Sequence, residues 1–303
     1  MNSVFNLSQL ALITVQGEKA QTFLQGQLTC DLREISEQHS RLSAHCNHKG
    51  RMLATLRVIF YQQQYHLLLP AIMVEAAMKE LKKYALLARV VLTENKNDYS
   101  ILGCHGPDLS QTLSQFFETL PTAADIVQQQ DQLLIIRICN TQERYLILGP
   151  RTTASMLHEQ LLTKLTRASD DTWQLLDIQA GIANIYPETM NLFTPQMLNY
   201  PALNAVSFKK GCYIGQEVIA RTHYLGKAKR HLHLASIQTS TLPPPGSALS
   251  SKETSQEVGQ IVAAAFHSPE ECQLLAVIQD EALNGEIFWQ EKAVTLTYSK
   301  SSS

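Results

Sequence analysis

The chain of 303 residues has no Cys-x-x-Cys pair among its six cysteines, Cys30, Cys46, Cys104, Cys139, Cys212 and Cys272. That scatter excludes a zinc ribbon and a small disulfide scaffold, and it points to a reducing compartment. There is no basic leader in MNSVFNLSQLALITVQGEKA, and its apolar run is too short for a signal segment or a membrane span. A soluble, cytoplasmic protein without a membrane partner is therefore expected; a monomer is expected as well. Charge of either sign is not in excess: 25 Lys and Arg stand against 27 Asp and Glu, a net charge of −2. Such a chain has no global attraction to nucleic acid or anionic lipid, so binding of that kind needs a local patch.

With 45% hydrophobic and 17% charged residues the chain can bury a sizeable core, and its length predicts two or three globular units. Leu10 to Val15 reads as a strand, and GEKAQTFLQGQL (17–28) as a helix with Phe23, Leu24 and Leu28 on one side. RLSAHC and RMLATLRVIFY flank Asn47-His48-Lys49-Gly50, the pattern of a hairpin closed by a glycine turn. YHLLLPAIM adds a strand, and MVEAAMKELKKYALL a helix whose wet face carries Glu80, Lys82 and Lys83. A second round follows, with SILGCHG, QLLIIRICN and RYLILGP as strands and LSQTLSQFFETL and TASMLHEQLLTKL as helices. The matching order predicts a duplicated α+β unit, although the letters do not repeat. WQLLDIQA (173–180) is a further helix stopped by Gly181. After the linker Thr241-Leu-Pro-Pro-Pro-Gly246, the short apolar runs Val258 to Phe266, Leu274 to Asp280 and Val294 to Tyr298 predict a small β-barrel.

One stretch looks like a site. SFKKGCYIGQEVIAR (207–221) gathers two lysines, two glycines, a thiol and a Gln-Glu pair. Glycines remove side chains where something must come close. Gly215 opens QEVIAR, a good helix start, so Cys212 is expected just ahead of a helix N-terminus with Lys209 and Lys210 on its other side. Both neighbours favour a nucleophilic thiol. Cys212 is the candidate reactive group, Lys210 its charge partner, and Gln216 and Glu217 the holders of the loop and helix start. The plainer alternative makes Cys212 a small buried residue and Glu217 with Arg221 an i,i+4 surface pair. From Lys209 to His233 the chain carries Lys209, Lys210, Arg221, Lys227, Lys229 and Arg230 against the single acid Glu217. Such a face suits an anion, and Lys49 and Arg51 at the hairpin tip would extend it.

KGCYIGQEVIAR resembles the Lys-Gly-Cys-Tyr-x-Gly-Gln-Glu signature of the YgfZ family, folate-binding relatives of the glycine-cleavage T protein that are linked to tRNA modification and to iron–sulfur enzymes. FLQGQLTCDL (23–32), AHCNHKGRMLA (44–54), FTPQMLNYPAL (193–203) and SFKKGCYIGQEVIARTHYLGKAKR (207–230) extend the resemblance in family order. It implies an α+β fold with a GcvT-like ring of three units: two interleaved α+β halves within residues 1–236 and a C-terminal β-barrel at 242–303. It also implies tetrahydrofolate as cofactor, bound by Trp173, Gln179, Gln216, Glu217 and Arg221, no resident metal, and iron–sulfur enzymes and tRNA as partners.

Two departures from the relatives matter. Where the T protein has an Asp pair after the glycine turn, this chain has Ala54 and Thr55, and neither can act as a general acid or base. A tetrahydrofolate-dependent one-carbon transferase is the rival reading, and these positions weigh against it; a pure tRNA-binding module is a third. Gln179 stands in Gln-Ala-Gly where relatives tend to have Glu-Ala-Gly, and Leu10 where they carry Trp, so folate is expected to bind more weakly. Trp173 is kept, either to stack on the ligand or as a core residue.

Overall fold

The computed structural model describes residues 1–297 apart from Lys96, Asn140, Lys227 and Thr254. Lys227 of the basic run and Tyr298 of the last apolar run lie outside the described residues. The chain divides into two compact units, one of Met1–Ser43, Leu56–Trp173 and Lys209–Tyr213, the other of Ala44–Thr55, Gln174–Phe208 and Ile214–Ser303.

The duplication expected from the order of elements is present. After β1 (Ser3–Asn6), the first round runs β2 (Leu10–Gln16), α1 (Ala20–Gln27), β3 (Arg41–Cys46), β4 (Met52–Tyr61), β5 (Gln64–Pro70), α2 (Val74–Ala88) and β6 (Val91–Glu94). The second repeats it as β7 (Tyr99–His105), α3 (Leu109–Leu113), β8 (Val127–Gln130), β9 (Leu133–Arg137), β10 (Arg144–Pro150), α4 (Arg151–Leu161) and β11 (Thr166–Ala168). The first sheet has the order β3-β4-β5-β2-β6, and the second, read from β8, is β8-β9-β10-β7-β1-β11. The two orders coincide except that β1 is inserted between β7 and β11. It runs antiparallel to β7, with Val4 opposite Cys104, and parallel to β11, with Val4 opposite Arg167. The halves are interleaved because the N-terminal strand completes the later sheet.

Apolar periodicity explains the layers. α2 buries Val74, Ala77, Leu81 and Ala85, three or four residues apart. On the second sheet, Val4, Leu102, Cys104, Tyr145 and Ile147 pack with Leu109, Leu113, Leu157 and Leu161 of α3 and α4, each large apolar side chain contributing about 1.5–3 kcal/mol. The helix expected over LSQTLSQFFETL ends at Leu113. Further along, Gln130 donates to the Phe116 carbonyl (2.9 Å) and accepts from the Glu118 N–H (2.8 Å), satisfying backbone groups outside any helix.

α5 (Asp170–Gln179) ends at Gly181, which is left-handed at φ +69°. In the second unit follow α6 (Gln216–Tyr224) and the strands β12 (Arg230–Gln238), β13 (Ala248–Ser251), β14 (Glu257–Ser268), β15 (Glu271–Gln279), β16 (Ile287–Trp289) and β17 (Lys292–Thr297). These six strands close in the order β12-β15-β14-β13-β16-β17, and Ala235, Ile237, Ile261, Ala264, Leu274, Ala276 and Ile278 fill the interior. The barrel takes β12 from ahead of the Pro-rich segment, so the expected boundary at 242 is displaced to Arg230. Closure is the reason: β12 pairs with both β15 and β17 and leaves no open edge. Among the described residues no helix is long and apolar enough to cross a membrane.

Candidate functional site

The motif at 207–221 is built on two local devices, one in each unit. In the first unit Lys210 is only 5% exposed, and its ammonium donates to the carbonyls of Leu28 and Cys30, both at 2.7 Å. Leu28 is the C-cap of α1, a helix with no basic residue in its last turn. A cation from far along the chain thus serves a helix C-terminus, where carbonyls lack intrahelical partners. The Tyr213 ring lies 5.0 Å from the same ammonium. Around it, the Cys30 N–H donates to Ser43 Oγ at 3.1 Å, and Asp31 accepts from Arg33 and Gln25. The bonds from Arg33 hold the Asp31 carboxyl well below the usual carboxylate range. Burial pushes the Cys30 thiol up to about 11 and brings the Lys210 ammonium down to about 8, which leaves the lysine mostly charged at neutral pH.

In the second unit the hairpin tip is set by Asn47. Its Oδ1 accepts from the N–H groups of Lys49 (2.8 Å) and Arg51 (3.1 Å), an Asx turn that delivers Gly50 at φ +68°. Gly215, the N-cap of α6 at φ +84°, lies directly against this tip: a Cβ there would meet the Asn47 carbonyl at 2.5 Å. A Cβ on Gly50 would in turn meet Val218 at 3.2 Å and Ile219 at 3.3 Å. Both glycines exist for close approach as well as for backbone conformation. The segment 191–197 completes the cluster. Gln196 donates to the Ile219 carbonyl at 2.7 Å, Arg51 to the Leu192 carbonyl at 2.5 Å, and Met52 N–H to the Phe193 carbonyl at 2.8 Å. The four stretches that carry the family resemblance therefore meet in two groups: 23–32 with Lys210, and 44–54 with 191–203 and α6.

Cys212 is exposed, whereas Cys30, Cys46, Cys104 and Cys272 are buried and Cys139 is half-buried. A Cβ on the neighbouring Gly211 would meet nothing within 4 Å, so space is open there. Gln216 and Glu217 occupy the first turn of α6, with Arg221 exposed one turn on. No ion pair joins Glu217 and Arg221 among the described residues. Lys210, counted in the basic face from sequence, faces inward onto carbonyls and adds nothing to the exposed charge.

Trp173 and Gln179 fall in different units. Trp173 is 2% exposed, with Arg144 stacked at 3.9 Å, Phe5 edge-on at 5.1 Å and the bare Cα of Gly103 against its ring. Gln179 is exposed and donates to Gln273 Oε1 at 2.9 Å. Ala54 is fully buried, and the Thr55 hydroxyl donates to Asn184 Oδ1 (3.1 Å) and accepts from the Ile185 N–H (3.0 Å). Sequence reasoning read the turn at Asn47 but not the role of its side chain, and it missed Ser43 and Gln196. An Asn ahead of His-Lys-Gly was a readable Asx-turn signal, while the other two act across distant segments.

Doubled α+β halves with a closed C-terminal barrel are the fold of the glycine-cleavage T proteins. The crystal structure of the glycine cleavage system aminomethyltransferase T from Bartonella henselae superposes with a TM-score of 0.77 over 99% of this chain and 85% of that one, at 20% identity. The GCVT N-terminal domain model matches residues 2–136. The proteins named tRNA-modifying protein YgfZ from Colwellia psychrerythraea and Photorhabdus laumondii subsp. laumondii are each 34% identical. The first aligns over 78% of this chain and 72% of its own length, the second over 80% and 74%. The chain belongs to the YgfZ family.

Replacing Lys210 by Met leaves two buried carbonyls without a donor and is expected to destabilise the protein by about 1–3 kcal/mol. The sign with pH follows from the lowered value. Between about 8 and the ordinary 10.5 the unfolded chain binds the proton and the folded one does not. The wild-type advantage over Lys210→Met therefore grows through that window, by about 1–3 kcal/mol, as the neutral amine keeps its donors and sheds its burial penalty. Urea unfolding of both proteins at pH 7 and pH 10 measures it.

Proposed function

We propose that this protein supports tRNA modification as a folate-binding partner of iron–sulfur-dependent enzymes, with Cys212 as its reactive group and Gln216 and Glu217 as holders of the start of α6. The observation that carries the reading is the exposure of Cys212 beside open space at Gly211, while the segment's Lys210 is anchored on backbone carbonyls. A thiol displayed on a pinned loop is available to a partner at low ordering cost. The relatives' name, tRNA-modifying protein, supplies the client pathway.

Two observations weigh against one-carbon transfer. Ala54 has no ionisable group, and both hydrogen-bonding capacities of the Thr55 hydroxyl are engaged by Asn184 and Ile185. For tetrahydrofolate, the exposed Gln179 fits a contact to the pterin edge, since its bond to Gln273 can be exchanged. Trp173 does not fit a stacking role, because Arg144, Phe5 and Gly103 already pack around its ring. The proposed folate contacts are thus Gln179 together with the exposed Arg221, whose cation suits the ligand's carboxylates.

Cells lacking the native protein and carrying Cys212→Ser are expected to show iron–sulfur-dependent tRNA methylthiolation no higher than cells with none, by nucleoside mass spectrometry; full restoration would remove Cys212 from the function. For folate, Gln179→Glu restores a charged acceptor worth about 1.5–3 kcal/mol and is expected to tighten tetrahydrofolate binding tenfold or more. Calorimetry showing equal or weaker affinity would mean that the pterin does not meet position 179.

A further inference from the structure

A cavity of about 220 Å³ in the second unit is lined by Arg51, Leu192, Phe193, Met197, Arg230, Gln260 and Val277. Three segments build it. The hairpin tip supplies Arg51, the stretch after Asn191 supplies the apolar wall, and the outer face of the barrel supplies Arg230, Gln260 and Val277. Barrel register puts the last three on one face: Gln260 pairs with Val277, Val277 with Leu232, and Arg230 lies two residues before Leu232 on the same strand. Phe193 and Val277 are each only 2% exposed, so the floor is dry.

The charge balance of this cavity is one-sided. No carboxylate lines it, and neither arginine forms an ion pair among the described residues. Asp280, the acid that follows the barrel strand beside Arg230, is bound to His231 at 2.7 Å. One N–H of Arg51 is given to the Leu192 carbonyl, which fixes the guanidinium while leaving other donors for a ligand. Two cations sharing a partly dry cavity repel each other, and an anion between them reverses that sign. The volume lies below the roughly 300–1,000 Å³ of a pocket for a whole drug-sized ligand, so it fits a single group. Two guanidinium forks and an amide, one fork from the hairpin tip and the other two groups from the barrel face, match an oxyanion with several oxygens better than a planar carboxylate.

We infer that this cavity binds a phosphate group through Arg51, Arg230 and Gln260. The group comes either from an RNA backbone or from a free phosphate or nucleotide, and the inference holds independently of the role of Cys212. The probes are inorganic phosphate, acetate at matched ionic strength, and an unmodified tRNA transcript. Calorimetry and thermal unfolding are run on the wild type, on Arg230→Gln, and on Lys252→Gln, which removes an exposed cation elsewhere on the barrel. Phosphate is expected to bind and to raise the melting temperature of the wild type and of Lys252→Gln, with acetate inert. Arg230→Gln should lose affinity tenfold or more, yet melt no lower than the wild type in phosphate-free buffer, since it relieves a repulsion. If Arg230→Gln also weakens tRNA binding and phosphate competes with tRNA, the group belongs to RNA; if tRNA binding is unchanged while phosphate binding is lost, it belongs to a small molecule. Equal phosphate binding by the wild type and Arg230→Gln, binding of acetate as tight as phosphate, or an equal loss in Lys252→Gln would overturn the inference.

Discussion

The ammonium of Lys210 resting on the carbonyls of Leu28 and Cys30 is the contact on which the segment from Lys209 to Tyr213 depends. A charge that is 5% exposed is unfavourable unless its donors are taken, and here two short bonds to carbonyls just past α1 take them. The same bonds close the C-terminus of a helix that has no cation of its own. A lysine at this place therefore solves two problems at once. Cys212, two residues on, is exposed, while Lys210 and Tyr213 on either side of it are buried.

A second constraint is steric. Gly215 and Gly50 face each other across a distance that a single Cβ would close, and both have positive φ. Helix α6 begins where the hairpin tip stops it from extending further back, and the Asn47 side chain holds that tip in shape. Lys-Gly-Cys-Tyr-x-Gly-Gln-Glu thus mixes residues of different kinds: Lys210 and Gly215 position the loop, Tyr213 fills, and Cys212 is displayed.

Much of this was legible in the sequence, for reasons tied to particular residues. The hairpin at Asn47 to Gly50, the stop at Gly181 and the barrel strands after Val258 follow from local turn chemistry and from apolar runs. The doubled order of elements showed through periodicity alone. What stayed hidden depends on contacts between distant segments. β1 is four residues long, and its place between β7 and β11 is set by pairing, which no local pattern encodes. β12 carries its barrel role ahead of a Pro-rich stretch that looks like a boundary. Lys210 reads as surface charge until Leu28 and Cys30 are brought beside it. Trp173 was open to two readings, and its packing on Phe5, Gly103 and Arg144 is a set of contacts between distant segments that local pattern does not encode.

Thiol accessibility separates Cys212 from the other five cysteines most directly. Burial raises the thiols of Cys30, Cys46 and Cys104, the last to about 12, and that of Cys272 as well. Cys139 is the instructive competitor. Burial alone would raise it, but hydrogen bonds from Thr141 and the backbone bring its thiol below the ordinary value while leaving it half-buried. Treating the folded protein with a limiting amount of iodoacetamide at neutral pH, followed by peptide mass spectrometry, ranks all six cysteines in one experiment. Cys212 is expected to be modified first, and the four buried cysteines to react only after denaturation. Modification of Cys139 or a buried cysteine ahead of Cys212, or a Cys212 that stays protected in the folded state, would contradict that expectation.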